Sequence, residues 1–278
     1  MRRKRQRRPP SAPPALTYVH RAMPPRSPPP PLPGTHPSPP SPHPPPSSST
    51  QGRAATALRP YAFKTGVVSA ASGSCFVQAG ATKVLVSVFG PRQHARAEYT
   101  ETGVLHCEWR SASFARAGAR RDVPPSSGDR HAAWAMVQAL SPSVRLEAYP
   151  KSSVDLFVLV LQDEGSALAA ALCAASVALA DAAIEMFDLT PACSLVMSPD
   201  GNVRLDPTAA EEADERAPSL TIATMPATGY VTQNWMHGPM GATAVVDGMA
   251  LLSEACDKLH ETMRASLLKT AKRAHKKQ

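Results

Sequence analysis

The chain has 278 residues and carries 30 Lys+Arg against 22 Asp+Glu, a net charge of +8 at pH 7. That length suits one large domain or two small ones. The charge favours a polyanionic partner, nucleic acid first among them, although a soluble protein with basic tails has the same balance. Five cysteines, Cys75, Cys107, Cys173, Cys193 and Cys256, are odd in number and widely spaced, and no CxxC or HExxH pair occurs. This spacing argues against a zinc site and for reduced, unpaired thiols of an intracellular protein, with no metal and no cofactor.

Residues 1–8, MRRKRQRR, form a dense cationic cluster. Three readings stay open for it: a nuclear or nucleolar address that doubles as an RNA-contacting arm, a solvated tail, or a transit peptide, since no acidic residue precedes Glu98. Eighteen of the 30 prolines lie before residue 50, and residues 9–50 read as an extended linker. The expected organisation is therefore a basic, proline-rich extension over 1–58, a folded domain over 59–270 and a basic tail over 271–278.

In the folded part, strands are expected at 67–70, 74–79 and 83–89, with Gly90-Pro91 stopping the third, and another at 104–109. Residues 110–130 read as a loop rich in Arg, Ser, Gly and Pro. Asp129 is placed to cap a helix that runs to about Leu140, with Trp134, Val137 and Leu140 as its apolar stripe and Pro142 ending it. Residues 144–149 suggest a short strand or turn. A continuous apolar β-run follows at 153–161, then a glycine turn and a helix over about 166–186. The apolar run 167–180 is too short and too alanine-rich to span a bilayer and is met by Asp181 and Glu185, so it reads as a buried core helix, with no membrane partner. A hairpin around Pro199-Asp200-Gly201 joins 194–198 to 202–205, a strand is expected at 220–225 and a weaker one at 230–233. The last helix covers about 241–271. Met249, Leu252, Cys256, Leu259, Met263 and Leu267 form its stripe. Lys269, Lys272, Arg273, Lys276 and Lys277 at its end partly stabilise the helix C-terminus and offer a nucleic-acid contact as a weaker signal. Strands and long helices in this order give a layered α/β domain.

The stretch that chemistry would use is Asp163-Glu164-Gly165-Ser166. A strand that passes through a glycine turn into a helix aims backbone N–H groups at whatever sits above it, which suits phosphate. Asp163 serves equally well as a plain helix cap. Trp109, Trp134 and Trp235 read as core or interface anchors more than as base-stacking platforms. His106 and His131 show no evident partner.

Three blocks together resemble the RNase PH family. Residues 65–85 with Gly90-Pro91-Arg92 are similar to its opening glycine-serine and Gly-x-Thr-Lys-Val strands. Residues 161–181 are similar to its strand–glycine turn–helix centre. Leu205-Asp206-Pro207-Thr208 with Glu211-Glu212 resembles its third block. The resemblance spans about 59–270 and implies an α/β (α+β) RNase PH-like domain, with mixed sheets packed against long helices. Within the family, the run 163–172, residues 205–208 and the arginine-rich loop 110–121 resemble non-catalytic ring subunits of the eukaryotic RNA exosome.

Active members degrade RNA from the 3′ end with inorganic phosphate as the nucleophile. Their Gly-Thr-Arg turn holds that phosphate. Here Gly165 and Ser166 keep the turn and the hydroxyl, but Ala167 stands where the arginine belongs and gives no bidentate grip on a dianion. A catalytic aspartate five residues beyond the acidic pair becomes Ala217, with Asp214 nearby. Of the family's two loop arginines, Arg116 survives and Ser111 replaces the other, while Arg110, Arg120 and Arg121 add charge. These arginines are expected to hold RNA phosphates, against the plainer reading of a solvated basic loop. The resemblance thus implies a catalytically inactive subunit that scaffolds a six-membered ring with other RNase PH-like chains, meets exosome cap proteins and contacts RNA for 3′–5′ processing and degradation, rRNA maturation included. The expected location is the nucleus and nucleolus, and also the cytoplasm. Two alternatives stay open: an active phosphorolytic exoribonuclease that uses Asp206, Asp214 and Arg116, and a stand-alone RNA-binding module.

Overall fold

The structure, a computed structural model, describes residues 55–93, 101–116, 126–198, 202–212 and 217–276. The expectations placed on 1–54, Arg120, Arg121, Asp214 and Lys277 lie outside the described residues. Strict alternation builds the first sheet from β1 (Tyr61–Thr65), β2 (Gly73–Ala79), β3 (Thr82–Gln93), β4 (Val104–Ser111) and β5 (Ser152–Gln162). Val84, Val86 and Val88 of β3 and Val154, Leu156, Val158 and Val160 of β5 all face the core, while Phe157 and Leu159 between them are partly open. The strand order is β1-β2-β3-β5-β4. Neighbours run antiparallel except β4 and β5, which are parallel. The crossover between those two carries α1 (Ser127–Leu140), as a parallel connection requires.

The second sheet holds β6 (Ala192–Met197), β7 (Val203–Leu205), β8 (Ser219–Met225) and β9 (Tyr230–His237) in the order β7-β6-β8-β9, all antiparallel. The helix α2 (Ala167–Asp181) packs on β2 and β3 and reaches β6, β8 and α4 (Ala242–His275). Every residue of α2 from Ala169 to Leu179 is buried. A helix that is apolar all round has to be enclosed. Its alanines let neighbours come very close: a Cβ on Gly73 of β2 would lie 2.3 Å from the backbone nitrogen of Ala182. Leu252, Ala255, Cys256, Leu259 and Met263 form the buried stripe of α4. The mixed sheets on long helices agree with the expected fold class.

Several elements differ from expectation. The first strand is Tyr61–Thr65, not 67–70. Gly66, at φ +66°, turns the chain out of β1, and the Val68 N–H donates to Ser74 Oγ at 2.9 Å in a loop. Gly90-Pro91 does not stop β3. The ladder resumes at Arg92↔Ser153 after a register shift that absorbs the proline's missing donor. The cap of α1 is Ser126, and Asp129 completes a capping box at the third helical position. Its buried face is Ala135, Met136, Ala139 and Leu140, while Trp134 is 54% exposed. Residues 144–149 hold a short 3-10 turn, Leu146–Ala148, with Val144 bridging Met186. α2 ends at Asp181, five residues early, where Ala183 takes φ +56° and Asp181 accepts the Ser74 N–H at 3.1 Å. β9 runs eight residues, longer than expected, and α4 continues to His275.

Candidate functional site

Between β5 and α2 the chain passes through two left-handed residues, Gly165 at φ +96° and Ser166 at φ +52°. Glycine is needed at 165 for a second reason. A Cβ there would sit 2.4 Å from the Pro207 carbonyl oxygen and 2.6 Å from the Ala209 nitrogen. The turn is thus pressed backbone to backbone against the segment that links β7 to the short helix α3 (Ala209–Glu212). The Ala209 N–H donates to the Glu164 carbonyl at 2.9 Å and fastens the two.

Arg59 organises this junction. Its guanidinium donates to the carbonyls of Glu164 at 3.2 Å and Gly165 at 3.0 Å, to Thr82 Oγ1 at 3.3 Å, and to the Asp206 carboxylate in a buried ion pair. Thr82 Oγ1 in turn donates to the Gly165 carbonyl at 2.8 Å and accepts the Glu164 N–H at 3.2 Å. Burial by itself would lower the pKa of Arg59, but the hydrogen bond and charge of Asp206 carry it above its ordinary value. The pair is therefore a fixed charged strut.

The front of the turn is already occupied. The Ser166 N–H donates to Glu212 Oε1 at 2.7 Å. The Ser166 hydroxyl, which the resemblance retains at the vestigial phosphate turn, donates to the Pro207 carbonyl at 3.3 Å and accepts from Ser194 Oγ at 2.7 Å. Residue Glu212 is open to solvent on α3, yet its carboxyl end is crowded enough that burial raises its pKa. The Ser166 hydrogen bond opposes that shift, as do the charges of Arg116 and Arg59, while nearby Asp163 adds to it.

Arg116 reaches the same place from the loop after β4. Its Nε meets Asp163 Oδ2 at 2.6 Å, with the arginine side chain 54% exposed and the aspartate 12%. Asp163 also accepts the Gly165 N–H at 3.3 Å, and α2 has no side-chain cap, so Asp163 braces the turn and does not cap the helix. Arg116, Asp163, Ser166, Ala167, Ser194 and Glu212 line one cavity of about 270 Å³ together with Trp109 and Asp129. A second cavity of about 600 Å³ shares Ser194, Glu212 and Thr221 with the first and is also lined by Ala217 and His237.

The structure therefore brings Gly165, Ser166, Ala167, Glu212, Ala217 and Arg116 into one neighbourhood. It does not bring Arg110 there: that side chain lies on the exposed face of β4, 2.6 Å from Glu108. Asp206, needed by the reading of an active enzyme, is fully buried with Arg59. Trp109 is buried, whereas Trp134 stacks on His131 at 5.9 Å and Trp235 meets the same ring edge-on at 6.3 Å, so His131 does have partners. Burial pushes the thiols of Cys75, Cys107 and Cys256 up to about 12, which suits packing and not nucleophilic work. Among the described residues, no group of three or more His, Cys, Asp or Glu side chains gathers where a metal ion could be held.

Two contributors escaped sequence reasoning. Arg59 was visible only as the start of the folded part, and Glu212 only as a member of an acidic pair. Nothing local in the sequence named the partners of Arg59.

Comparison with known proteins supplies the family. The model described as "3' exoribonuclease family, domain 1" matches residues 57–185. The chain is 40% identical over 235 residues to "Exosome complex component MTR3" of Homo sapiens, covering 78% of this chain and 85% of that protein. It is 37% identical over 227 residues to "Exosome complex component RRP41-like" of Arabidopsis thaliana, covering 81% and 86%. Among solved structures, Rrp46 of rice (Oryza sativa) superposes with a TM-score of 0.70 at 22% identity over 78% of this chain and 99% of that one. The Archaeoglobus fulgidus exosome with RNA bound to the active site gives 0.64 at 20% identity over 76% and 91%. These two share the fold, and the sequence relatives fix the kinship: the chain belongs to the RNase PH family.

Proposed function

We propose that this chain is a catalytically inactive ring subunit of an RNA exosome core, one that scaffolds the ring and holds RNA for 3′–5′ processing and degradation, including rRNA maturation. The observation that carries this reading is the Glu212 carboxylate seated on the Ser166 N–H beside Ala167. A phosphate nucleophile needs donors and a cation at that point. It meets a fixed negative charge and a methyl group instead. Ala217 on the adjoining cavity supports the same reading, since the resemblance puts the family's catalytic aspartate at its position.

RNA is held by charge. Arg116 is more than half exposed and tied to the body through Asp163, so its guanidinium is available to exchange that partner for a phosphate. Arg120 and Arg121, which follow Arg116 in the sequence, add to this charge, while Arg110 lies apart on β4 beside Glu108. The partners are other RNase PH-like subunits in a six-membered ring, with exosome cap proteins. The strand β9 supports this: among the described residues its outer edge is unpaired, and its Tyr230, Val231 and Met236 are 67%, 47% and 55% exposed, a surface that a neighbour would cover. The nucleus and nucleolus, and the cytoplasm as well, are the proposed sites of action.

The test is a phosphorolysis assay on the purified chain. No phosphate-dependent release of nucleoside diphosphates from an oligoribonucleotide is expected, and their release would overturn the inactive assignment. In a native extract the chain should co-purify with other RNase PH-like chains. Elution as a free 29.4 kDa monomer would remove the ring assignment.

A further inference from the structure

The 34 residues of α4 make a rod of about 51 Å at 1.5 Å per residue. Its grip on the body ends well before its tip. Met263 is the last fully buried side chain. Leu267 still packs half-buried against the core, and two hydrogen bonds tie the helix to β1: Ser266 Oγ donates to the Phe63 carbonyl at 3.2 Å, and the hydroxyls of Thr270 and Thr65 meet at 2.7 Å. Beyond Thr270, the side chains of Lys272, Arg273 and Lys276 are open to solvent, and the Lys276 N–H still donates to the Lys272 carbonyl at 3.2 Å. The helix therefore stays wound where it no longer packs.

The charge on this rod is segregated. Its acids, Asp247, Glu254, Asp257 and Glu261, all precede residue 262, and no acid follows to the end of the chain. Lys269, Lys272, Arg273 and Lys276 sit three and four residues apart, which places them on one face. Among the described residues none of the four is in an ion pair. The helix macrodipole accounts for cations in the last turn, but it fades within that turn. It accounts neither for Lys269 nor for the loss of every acid over the last four turns. Past Glu261 the one exposed large hydrophobic among the described residues is Leu268. That is too little for a protein partner, whose interface core is apolar and aromatic.

We infer that the projecting end of α4 is a second RNA-contact surface, on which Lys269, Lys272, Arg273 and Lys276 neutralise successive phosphates of a single-stranded RNA. It is separate from the Arg116 loop and independent of base sequence. The choice of RNA among polyanions rests on the function proposed above. The charge argument does not.

The experiment measures binding of a labelled single-stranded oligoribonucleotide to the full chain by fluorescence anisotropy across a salt series. The variant K269Q/K272Q/R273Q/K276Q keeps helix propensity and removes the charge. It should bind at least ~10-fold more weakly near 0.1 M salt, with the slope of log K against log salt smaller by about 3, since each lost contact removes about 0.7. The variant K269R/K272R/K276R should restore both, and circular dichroism should be the same for all three proteins. Unchanged affinity and slope in the glutamine variant would overturn the inference. So would a loss of affinity for poly-glutamate with RNA binding intact, which would mark a protein-docking surface. Because the isolated chain is used, failure of the ring assignment leaves this result readable on its own.

Discussion

Arg59–Asp206 and Arg116–Asp163 grip the same turn, one from inside the fold and one from its surface. In the first pair the side chains are 8% and 1% exposed, in the second 54% and 12%. Arg59 also satisfies two turn carbonyls and Thr82, whereas Arg116 has open solvent on its far side. The same chemical pair is thus a strut where water is excluded and a loosely held cation where water reaches it. Removing one partner of a buried pair strands a charge, while an exposed pair is screened and nearly neutral. Asp206→Asn should therefore have the largest effect. Asparagine tolerates the φ of +52° at that position but leaves Arg59 without its counter-charge. We expect a loss of about 3 kcal/mol or more in urea unfolding. A loss below about 1 kcal/mol, the value for a surface pair, would erase the distinction.

Gly165→Ala tests the same junction without touching a charge. The added methyl meets the Pro207 carbonyl at 2.4 Å and the backbone is held at φ +96°, so about 2–3 kcal/mol of destabilisation is expected by thermal unfolding. Arg116→Ala lies on the other side of the comparison. Its unfolding free energy should stay within about 0.5 kcal/mol of the parent. Affinity for single-stranded RNA should fall a few-fold, with a salt slope smaller by about 0.7. A large stability loss with no change in RNA binding would make Arg116 a second strut and reverse its role.

How much of this was legible follows from how local each signal is. The inward valines of β3 and β5 and the all-apolar α2 declare their burial in the sequence itself, and the stripe from Leu252 to Met263 does the same for α4. β1 was missed because Tyr61–Thr65 is a short edge strand whose identity comes from pairing with β2. The face of α1 was misread because Ala135 and Ala139 carry the packing while the bulkier Trp134 turns outward. In the site, Gly165, Ser166 and Ala167 are contiguous and readable as a turn. The partners of Arg59 stand 23, 105, 106 and 147 residues away. Glu212 reaches Ser166 across 46. Contacts at that separation leave no periodic trace, so the strut and the occupied cradle emerge only from the fold.

The smallest expected effect concerns two neighbouring glutamates, Glu212 beside Arg116 and Arg59 and Glu211 beside Arg204. Burial pushes the Glu212 carboxyl above its ordinary value of 4.5, and Arg116 and Arg59 only partly offset this. Folding then favours its protonated form. The stability this contributes is complete below pH 4.5 and is lost as pH rises through the raised value. Glu212→Gln keeps an oxygen for the Ser166 N–H and cannot ionise, so it should match the parent in acid and become the more stable protein toward neutral pH. At Glu211 burial also pulls upward, but hydrogen bonds from Thr208 and Arg204 win and hold the carboxyl below its ordinary value. Its stabilisation is present above pH 4.5 and disappears as pH falls through the lowered value, so Glu211→Gln should be the less stable protein at neutral pH and converge on the parent in acid. Both differences should stay within about 1 kcal/mol, because solvent screens this surface. Urea midpoints for the two variants, taken at steps of pH, should therefore separate from the parent with opposite signs. Parallel curves would mean that desolvation of the Glu212 carboxyl does not outweigh its arginine neighbours at the front of the turn.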